Sequence, residues 1–510
     1  MDIFKIATSR MNITILLLVI QIAIIGFVAS KAFMHFPAIS YIGILASSVV
    51  FLLILKNDEA SAYKMTWIII ILITPPLGGA LYLLFRNSLP TRRITAHIKE
   101  HALIAKLLDK DGNLPFINRI QCGRMYSLMQ YIRSSSAYHA YKNTQTKYYP
   151  LGEQIFEDML IEISKAEKFI FLEYFIIYKS GMWDRLLDVL INKAAEGIEV
   201  RLIVDDFGSQ KLFTNTYISQ LRAKGIKILR FNPMLPVLLL FMNNRDHRKI
   251  TVIDGRTAFT GGINISDEYI GEKVRFGIWK DTGIKLQGEA VWSFTLMFIE
   301  MWDTFCKTEE RINDYESYKV EHEENIDTDG FIIPFGDSPL EQERLGENVY
   351  MDILNQAEHY CYIFTPYLII SEKMIQALQM TAKRGIDVRI VTPGIPDKKI
   401  VHRLSRSYYR NLIESGVRIY EYTPGFLHAK SFVCDDNVAV IGTINLDYRS
   451  LYLHFECAAL LYGAGVIDAM KEDAVQTLSE SKEILLDGNG KRRFASELFD
   501  AVLHLFAPLM

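Results

Sequence analysis

Several things are scarce in these 510 residues, and each scarcity narrows the reading. There are five cysteines, Cys122, Cys306, Cys361, Cys434 and Cys457, scattered and never arranged C-x-x-C. That argues against a disulfide framework and a structural zinc site, and for a reducing compartment. No cluster of residues at metal-ligand spacing stands out, so neither a metal nor another cofactor is expected. Neither sign of charge dominates: the formal net charge is −3, which is no footprint for a general nucleic-acid binder. One compact core would not hold a chain of this length, so two or more domains are expected.

Charge is absent altogether from residues 13–29, 36–55 and 65–85. A helix of about 20 residues crosses the ~30 Å hydrocarbon core of a bilayer. Three such runs in succession predict a membrane anchor over residues 1–88, with one span in each run. A cleaved signal peptide competes for the first, because Lys5 and Arg10 precede it. Pro75 and Pro76 would kink the third, a cost that neighbouring helices relieve. Basic residues divide evenly between the two sides, so charge counting sets no orientation.

After a connecting stretch over residues 89–150 the chain turns soluble in character and repeats itself. "AEKFIFLEYFII" (166–177) answers "AEHYCYIFTPYLII" (357–370), and "AAEGIEVRLIVDD" (194–206) answers "AKRGIDVRIVTPG" (382–394). "AKGIKILRFNP" (223–233) likewise answers "ESGVRIYEYTP" (414–424). These are helix, glycine, then a strand too apolar for a surface, which predicts an α/β fold with helices on both sheet faces. The repeat predicts two similar domains, over 151–330 and 331–510, related by a pseudo-twofold axis. Such an interface commonly carries a site.

Each half also holds one copy of H-x-K-x4-D: "HRKITVID" (247–254) and "HAKSFVCD" (428–435). Two copies of so sparse a pattern point to shared chemistry. A neutral imidazole can attack a phosphodiester and form a phosphohistidine, while a second, protonated imidazole gives its proton to the departing alkoxide. An unperturbed value near 6.5 permits both states around neutral pH. The candidate catalytic set is therefore His247, Lys249, Asp254, His428, Lys430 and Asp435, with the lysines neutralising non-bridging oxygens. Within that set the two aspartates read as structural. Five residues of strand cover ~17 Å, which carries Asp254 and Asp435 away from a phosphate held at the lysines. Asn264 and Asn445, ten residues past the aspartates, are candidates for binding phosphate oxygens. Asp281 and Glu456 are candidates for orienting a histidine, with an ordinary surface carboxylate as the competing reading.

The two motifs, with "GGINISDEYIG", "FGIWKDTG", "PFGDSP", "PGIPDKK" and "GTINLDYRSLYLHFE", resemble the phospholipase D superfamily, and within it the bacterial cardiolipin synthases. The likeness runs from the third apolar run to the C-terminus. It implies two phospholipase D-like domains forming one catalytic unit behind a membrane anchor. It also implies phosphatidyl transfer from one phosphatidylglycerol to another, giving cardiolipin and glycerol without a cofactor. His247 would be the nucleophile and His428 the acid and then the base. The implied partners are phosphatidylglycerol, cardiolipin and the bilayer, with no nucleic acid. The implied location is the bacterial plasma membrane, as a multi-pass protein with its catalytic domains on the cytoplasmic side. Two alternatives stay open: a membrane phospholipase D in which water is the acceptor, and a transferase using another lipid alcohol.

The chain departs from the family at His454, where asparagine is usual, and at "KDTG" (280–283). His454 reads as a harmless neighbour. "PMLPVLLLFMNN" (233–244) reads either as a lip dipping toward acyl chains or as a buried segment. "ELFDAVLHLFAPLM" at the C-terminus is amphipathic, a pattern that usually means core packing.

Overall fold

The structure is a computed structural model. It describes residues 37–56, 61–86, 94–100, 122–233, 243–306, 310–322, 330–486 and 494–507 (313 and 342 aside), with isolated positions among 20–31 and at 103–104. The first apolar run lies mostly outside the described residues, and so does most of the 233–244 segment. The chain divides into two units.

The smaller unit gathers the N-terminal helices and the C-terminal one. Helix α1 spans Pro37–Lys56, α2 Ser61–Ile73 and α3 Pro75–Arg86. The third run, expected as one helix, is therefore two, because Pro75 offers no N–H and its ring crowds the preceding turn. The bend is tight: a Cβ on Gly78 would fall 2.8 Å from the Ile71 Cα. Val50, Ile54, Trp67, Ile71 and Tyr82 form a small core, with the Trp67 and Tyr82 rings 5.3 Å apart. The C-terminal helix Phe494–Phe506 lies against α2, where Thr66 Oγ1 donates to the Leu505 carbonyl at 2.9 Å. Among the described residues no helix is long and apolar enough to cross a membrane. The three-span expectation thus meets helices in its second and third runs but no single helix of spanning length and apolarity.

The larger unit is built on two sheets with one plan. Strands β1 (Thr144–Tyr149), β2 (Phe169–Tyr174), β3 (Glu199–Asp205) and β4 (Ile226–Phe231) open the first half. After them come β5 (Arg245–Asp246), β6 (Lys249–Ile253), β7 (Thr257–Gly261), β8 (Ile278–Lys280) and β9 (Gly283–Gly288). The first sheet runs β1-β9-β7-β6-β2-β3-β4, parallel across β2, β3 and β4 and antiparallel elsewhere.

The second half repeats this with β10 (Phe331–Asp337), β11 (Tyr360–Phe364), β12 (Leu368–Ile369), β13 (Asp387–Pro393) and β14 (Arg418–Tyr422). It continues with β15 (Gly425–Leu427), β16 (Ser431–Cys434), β17 (Val438–Gly442), β18 (Leu446–Asp447), β19 (His454–Tyr462) and β20 (Ser481–Glu483). The order β10-β19-β17-β16-β11-β13-β14 matches the first sheet strand for strand, with β20 added at the edge. Helices cross over between the parallel strands, and equivalent glycines, Gly197 and Gly385, end two of them at φ of +90° and +89°.

A single core runs through both halves, joining Phe171, Ile250 and Val252 to Val433, Phe455 and Leu461 around the buried helix Val291–Phe305. Two short parallel pairings knit the halves at the motifs. β5 pairs with the start of β19, and β15 pairs with β8. All five cysteines are buried and free.

Candidate active site

Each H-x-K-x4-D strand is anchored at its far end by its aspartate. Asp254 accepts from the backbone N–H groups of Glu167, Lys168 and Phe169, each at 2.8 Å. Asp435 accepts from Glu358, His359 and Tyr360 at 2.7, 2.9 and 2.8 Å. Both aspartates hold φ at +53°, where a short side chain bonded to nearby backbone is tolerated. Their carboxylates are spent on the start of β2 and of β11. Grouping them with the catalytic residues is corrected: they set the strand that carries the histidine.

At the near end, the histidines are held crosswise. The His247 N–H donates to the Phe455 carbonyl at 2.9 Å, and the His428 N–H to the Lys280 carbonyl at 2.7 Å. The His247 Nδ1 lies 2.9 Å from both carboxylate oxygens of Glu456, and the His428 Nδ1 lies 2.6 Å from Asp281 Oδ2. Each half therefore lends its carboxylate to the other half's histidine. Asp281 and Glu456 are fully buried, so the competing reading as surface carboxylates is excluded.

The strand period of two puts Lys249 and Lys430 on the same side as their histidines. Lys249 Nζ donates to the His247 carbonyl at 2.5 Å, and Lys430 Nζ lies 2.8 Å from the His428 Nδ1. The residue between, Arg248, points the other way. It is buried, donates to the Glu456 carbonyl at 3.2 Å and to the Met297 carbonyl at 3.3 Å, and so braces the backbone at Glu456. The sequence reading missed Arg248. Its signal was a second cation between the histidine and the lysine, where the other motif has Ala429.

The asparagines are not equivalent. Asn264 is engaged on both sides, accepting from the Ile176 N–H at 3.0 Å and donating to the Tyr269 hydroxyl at 2.8 Å. Asn445 is buried, and its Oδ1 has no hydrogen-bond partner among the described residues. His454 also proves to be more than a bystander. It is buried, its ring centroid is 5.4 Å from that of His247, and neither ring nitrogen has a partner among the described residues. Glu456 Oε1 is 3.7 Å away, beyond hydrogen-bond reach. Donor atoms of His247, His454 and Glu456 lie within 4.8 Å of one another, a set of the type zinc accepts. This corrects the expectation that no metal-ligating cluster exists, although Lys249 and Lys430 beside it oppose a cation.

Burial dominates the acid–base state of the pocket. Burial, then Lys249, Lys430 and His428, push the His247 imidazole well below its ordinary value. Burial and Lys430 lower His428 to about 4, against the pull of Asp281. Burial lowers Lys249 to about 8 and Lys430 to about 7, in both cases against nearby carboxylates. Burial raises the Asp281 carboxyl, but His428 and Lys430 outweigh it and leave the group below its usual range. The expectation that one histidine starts protonated is thus corrected for the ligand-free pocket. An arriving anion supplies the charge that raises all four groups.

Two copies of one α/β sheet, joined so that each half's carboxylate holds the other half's histidine, define the phospholipase D class of fold and site. A family model described as cardiolipin synthase, PLD-like domain, matches residues 159–275 and 350–477. A second, described as phospholipase D-nuclease N-terminal, matches residues 44–87. Cardiolipin synthase 2 of Bacillus anthracis is 34% identical over 461 residues, which is 89% of this chain and 88% of that protein. Cardiolipin synthase of Geobacillus sp. is 33% identical over 92% of this chain and 93% of its own. An uncharacterized protein of Streptococcus mutans is 44% identical over 91% of this chain and its whole length. The chain belongs to the cardiolipin synthase family of phospholipase D-like proteins. The crystal structure of phosphatidylserine synthase from Haemophilus influenzae matches with a TM-score of 0.54 at 16% identity, covering 72% of this chain and 94% of that one, a likeness of fold.

Proposed function

We propose that this protein synthesises cardiolipin, moving a phosphatidyl group from one phosphatidylglycerol to the free hydroxyl of another and releasing glycerol. The observation that carries the reading is the crossed pair of histidine–carboxylate contacts beside two buried lysines, in a member of this family. Lys249 and Lys430 hold the non-bridging oxygens, and the phosphodiester's charge restores their protonation. The His247 nitrogen attacks phosphorus. The bond from phosphorus to the glycerol oxygen breaks, and that oxygen leaves with its electron pair and takes a proton from His428. In the second step the acceptor hydroxyl gives its proton to His428, its oxygen attacks phosphorus, and the bond to His247 breaks.

Each histidine has a carboxylate at its Nδ1, Glu456 at 2.9 Å from His247 and Asp281 at 2.6 Å from His428, a contact that orients either ring to attack or to carry the proton. His247 is taken as the nucleophile on the family resemblance. Asn445, with its free oxygen, is the better placed of the two asparagines to meet a substrate hydroxyl.

The smaller unit is read as the membrane attachment. Ile42, Leu45, Leu52, Leu72 and Ile73 are all exposed, an apolar surface that water does not favour. That surface supports reading the protein as one of the bacterial plasma membrane. The catalytic side faces the cytoplasm, in keeping with five free, buried cysteines.

The test uses purified full-length protein with headgroup-labelled phosphatidylglycerol as sole substrate, beside His247→Ala and His428→Ala. Cardiolipin equal to glycerol released, and lost in both variants, is the expected result. Glycerol with phosphatidic acid and no cardiolipin would make the enzyme a hydrolase.

A further inference from the structure

The His428 side of the pocket is bordered by side chains that are apolar or basic by turns, and they come from both halves. The first half contributes residues 273–278, "KVRFGI", where Val274 is 81% exposed and Ile278 57%. The second contributes residues 395–400, "IPDKKI", where Ile400 is 58% exposed and Ile395 40%. The two segments touch. Gly277 bridges Gly425, the Ile395 N–H donates to the Gly425 carbonyl at 3.2 Å, and a Cβ on Gly277 would sit 3.2 Å from Ile395 Cδ1.

Exposed basic groups outnumber acids on this rim. Lys273, Arg275, Lys398 and Lys399 are all exposed. Acids pair with two of them, Glu268 lying 3.5 Å from Arg275 and Asp397 3.8 Å from Lys398, while Glu272 lies 3.8 Å from Arg185 and Asp397 also accepts from the Tyr367 hydroxyl at 2.7 Å. Lys398 also stands 5.1 Å above the Tyr367 ring, and its charge is felt at His247.

From the rim a line of aromatic rings leads inward. Phe276 is 6.2 Å from Phe426, Trp279 is 4.8 Å from Phe426, and Trp279 and Phe426 are 5.5 and 5.8 Å from His428. The Trp279 indole N–H is buried and has no partner among the described residues.

We propose that this rim is a docking surface for an anionic phospholipid layer. Its apolar side chains enter the acyl boundary while its four basic groups meet headgroup phosphates. Basic residues near an anionic leaflet attract it, and exposed apolar ones add the water-excluding contact. A protein partner would be expected to meet a flatter, less charged apolar core. The proposal rests on the reading above that the substrate is a membrane lipid, and it adds where the catalytic unit meets that membrane.

Because the native cysteines are all buried, a fluorophore can be placed selectively on Val274→Cys or Ile400→Cys. Met380→Cys, exposed on the helix before β13 and at the end of that unit opposite the rim, serves as control. Full-length protein is reconstituted into vesicles carrying a nitroxide-labelled lipid, either phosphatidylglycerol with phosphatidylcholine or phosphatidylcholine alone. Quenching at 274 and 400 should exceed that at 380 by about twofold or more in the phosphatidylglycerol vesicles and fall in phosphatidylcholine. Reversing Lys273, Arg275, Lys398 and Lys399 to glutamate should lower it in the same way. Quenching at 274 and 400 no greater than at 380, in protein that still makes cardiolipin, overturns the docking surface and leaves the proposed function standing. Strong quenching in protein that makes no cardiolipin does the reverse. Quenching indifferent to phosphatidylglycerol removes the anionic lipid as the occupant.

Discussion

In the turn after each motif's hairpin the halves read G-G-I-N and G-T-I-N, and the one difference shows how a repeated scaffold came to hold unlike sites. A Cβ on Gly262 would fall 1.9 Å from Asp281 Oδ1, so the first half needs a bare backbone to make room for the carboxylate that serves His428. Thr443 stands in the same place in the second half, and its hydroxyl donates to Glu456, the carboxylate that serves His247. One half makes space and the other supplies a hydrogen bond. The asparagines diverge likewise: Asn264 is tied to Ile176 and Tyr269, whereas the buried Asn445 Oδ1 has no partner among the described residues. By contrast, Asp254 and Asp435 keep the same φ and the same three backbone bonds. The aspartates, histidines and lysines are duplicated, while the residues packed around them have parted.

That comparison breaks most visibly at the histidines. Replacing either by alanine should cut cardiolipin formation by about 10²- to 10⁴-fold. Only protein retaining His247 should yield a phosphatidyl adduct when the reaction is quenched and analysed by mass spectrometry. An adduct on His428 in His247→Ala protein would exchange the two roles.

The carboxylates come next. Glu456→Gln and Asp281→Asn should each cost about 10- to 100-fold in kcat/KM, as partners that orient a reacting ring commonly do. Pre-steady-state measurement should find adduct formation slowed in Glu456→Gln. Wild-type rates in either variant would make the crossed contacts irrelevant to catalysis.

The pH dependence sharpens the picture further. A lysine is charged below its value and neutral above it. Activity should therefore decline as pH rises through about 7 and then about 8, when Lys430 and Lys249 lose their protons in the free enzyme. Substrate at saturation should carry the decline to higher pH, because the bound anion favours both charged forms. A kcat/KM profile flat from pH 6 to 9 would contradict that assignment.

The smallest effect separates Gly262 from Thr443. Gly262→Ala forces Asp281 aside and should lower activity at least as much as Asp281→Asn. Thr443→Ala removes one hydrogen bond from a carboxylate that keeps its contact with His247, and should cost less than about 10-fold. Equal losses would mean that the two halves use this position alike.

Much of the frame was legible because its signals are local. The repeat shows in helix–Gly–strand spacing, and the aspartates at the strand ends follow from the rise of a strand. Where single-sequence reading fell short, the cause was tertiary. The third apolar run is two helices because Pro75 interrupts it, and α3 folds close to α2 through Gly78. His454 looked idle until β19 paired with β5 and brought its ring beside His247.

The sequence by itself determined that there are two phosphodiester motifs on two like α/β sheets, and that an apolar N-terminal region precedes them. Periodicity and spacing act over a few residues, and both are written into the chain. Only the tertiary structure decided which carboxylate serves which histidine. The Asp281–His428 and Glu456–His247 contacts span 147 and 209 residues and run between halves. The pairing exists because β8 joins β15 and β5 joins β19. A backbone hydrogen-bond ladder of that kind leaves no mark on the spacing of the residues it brings together.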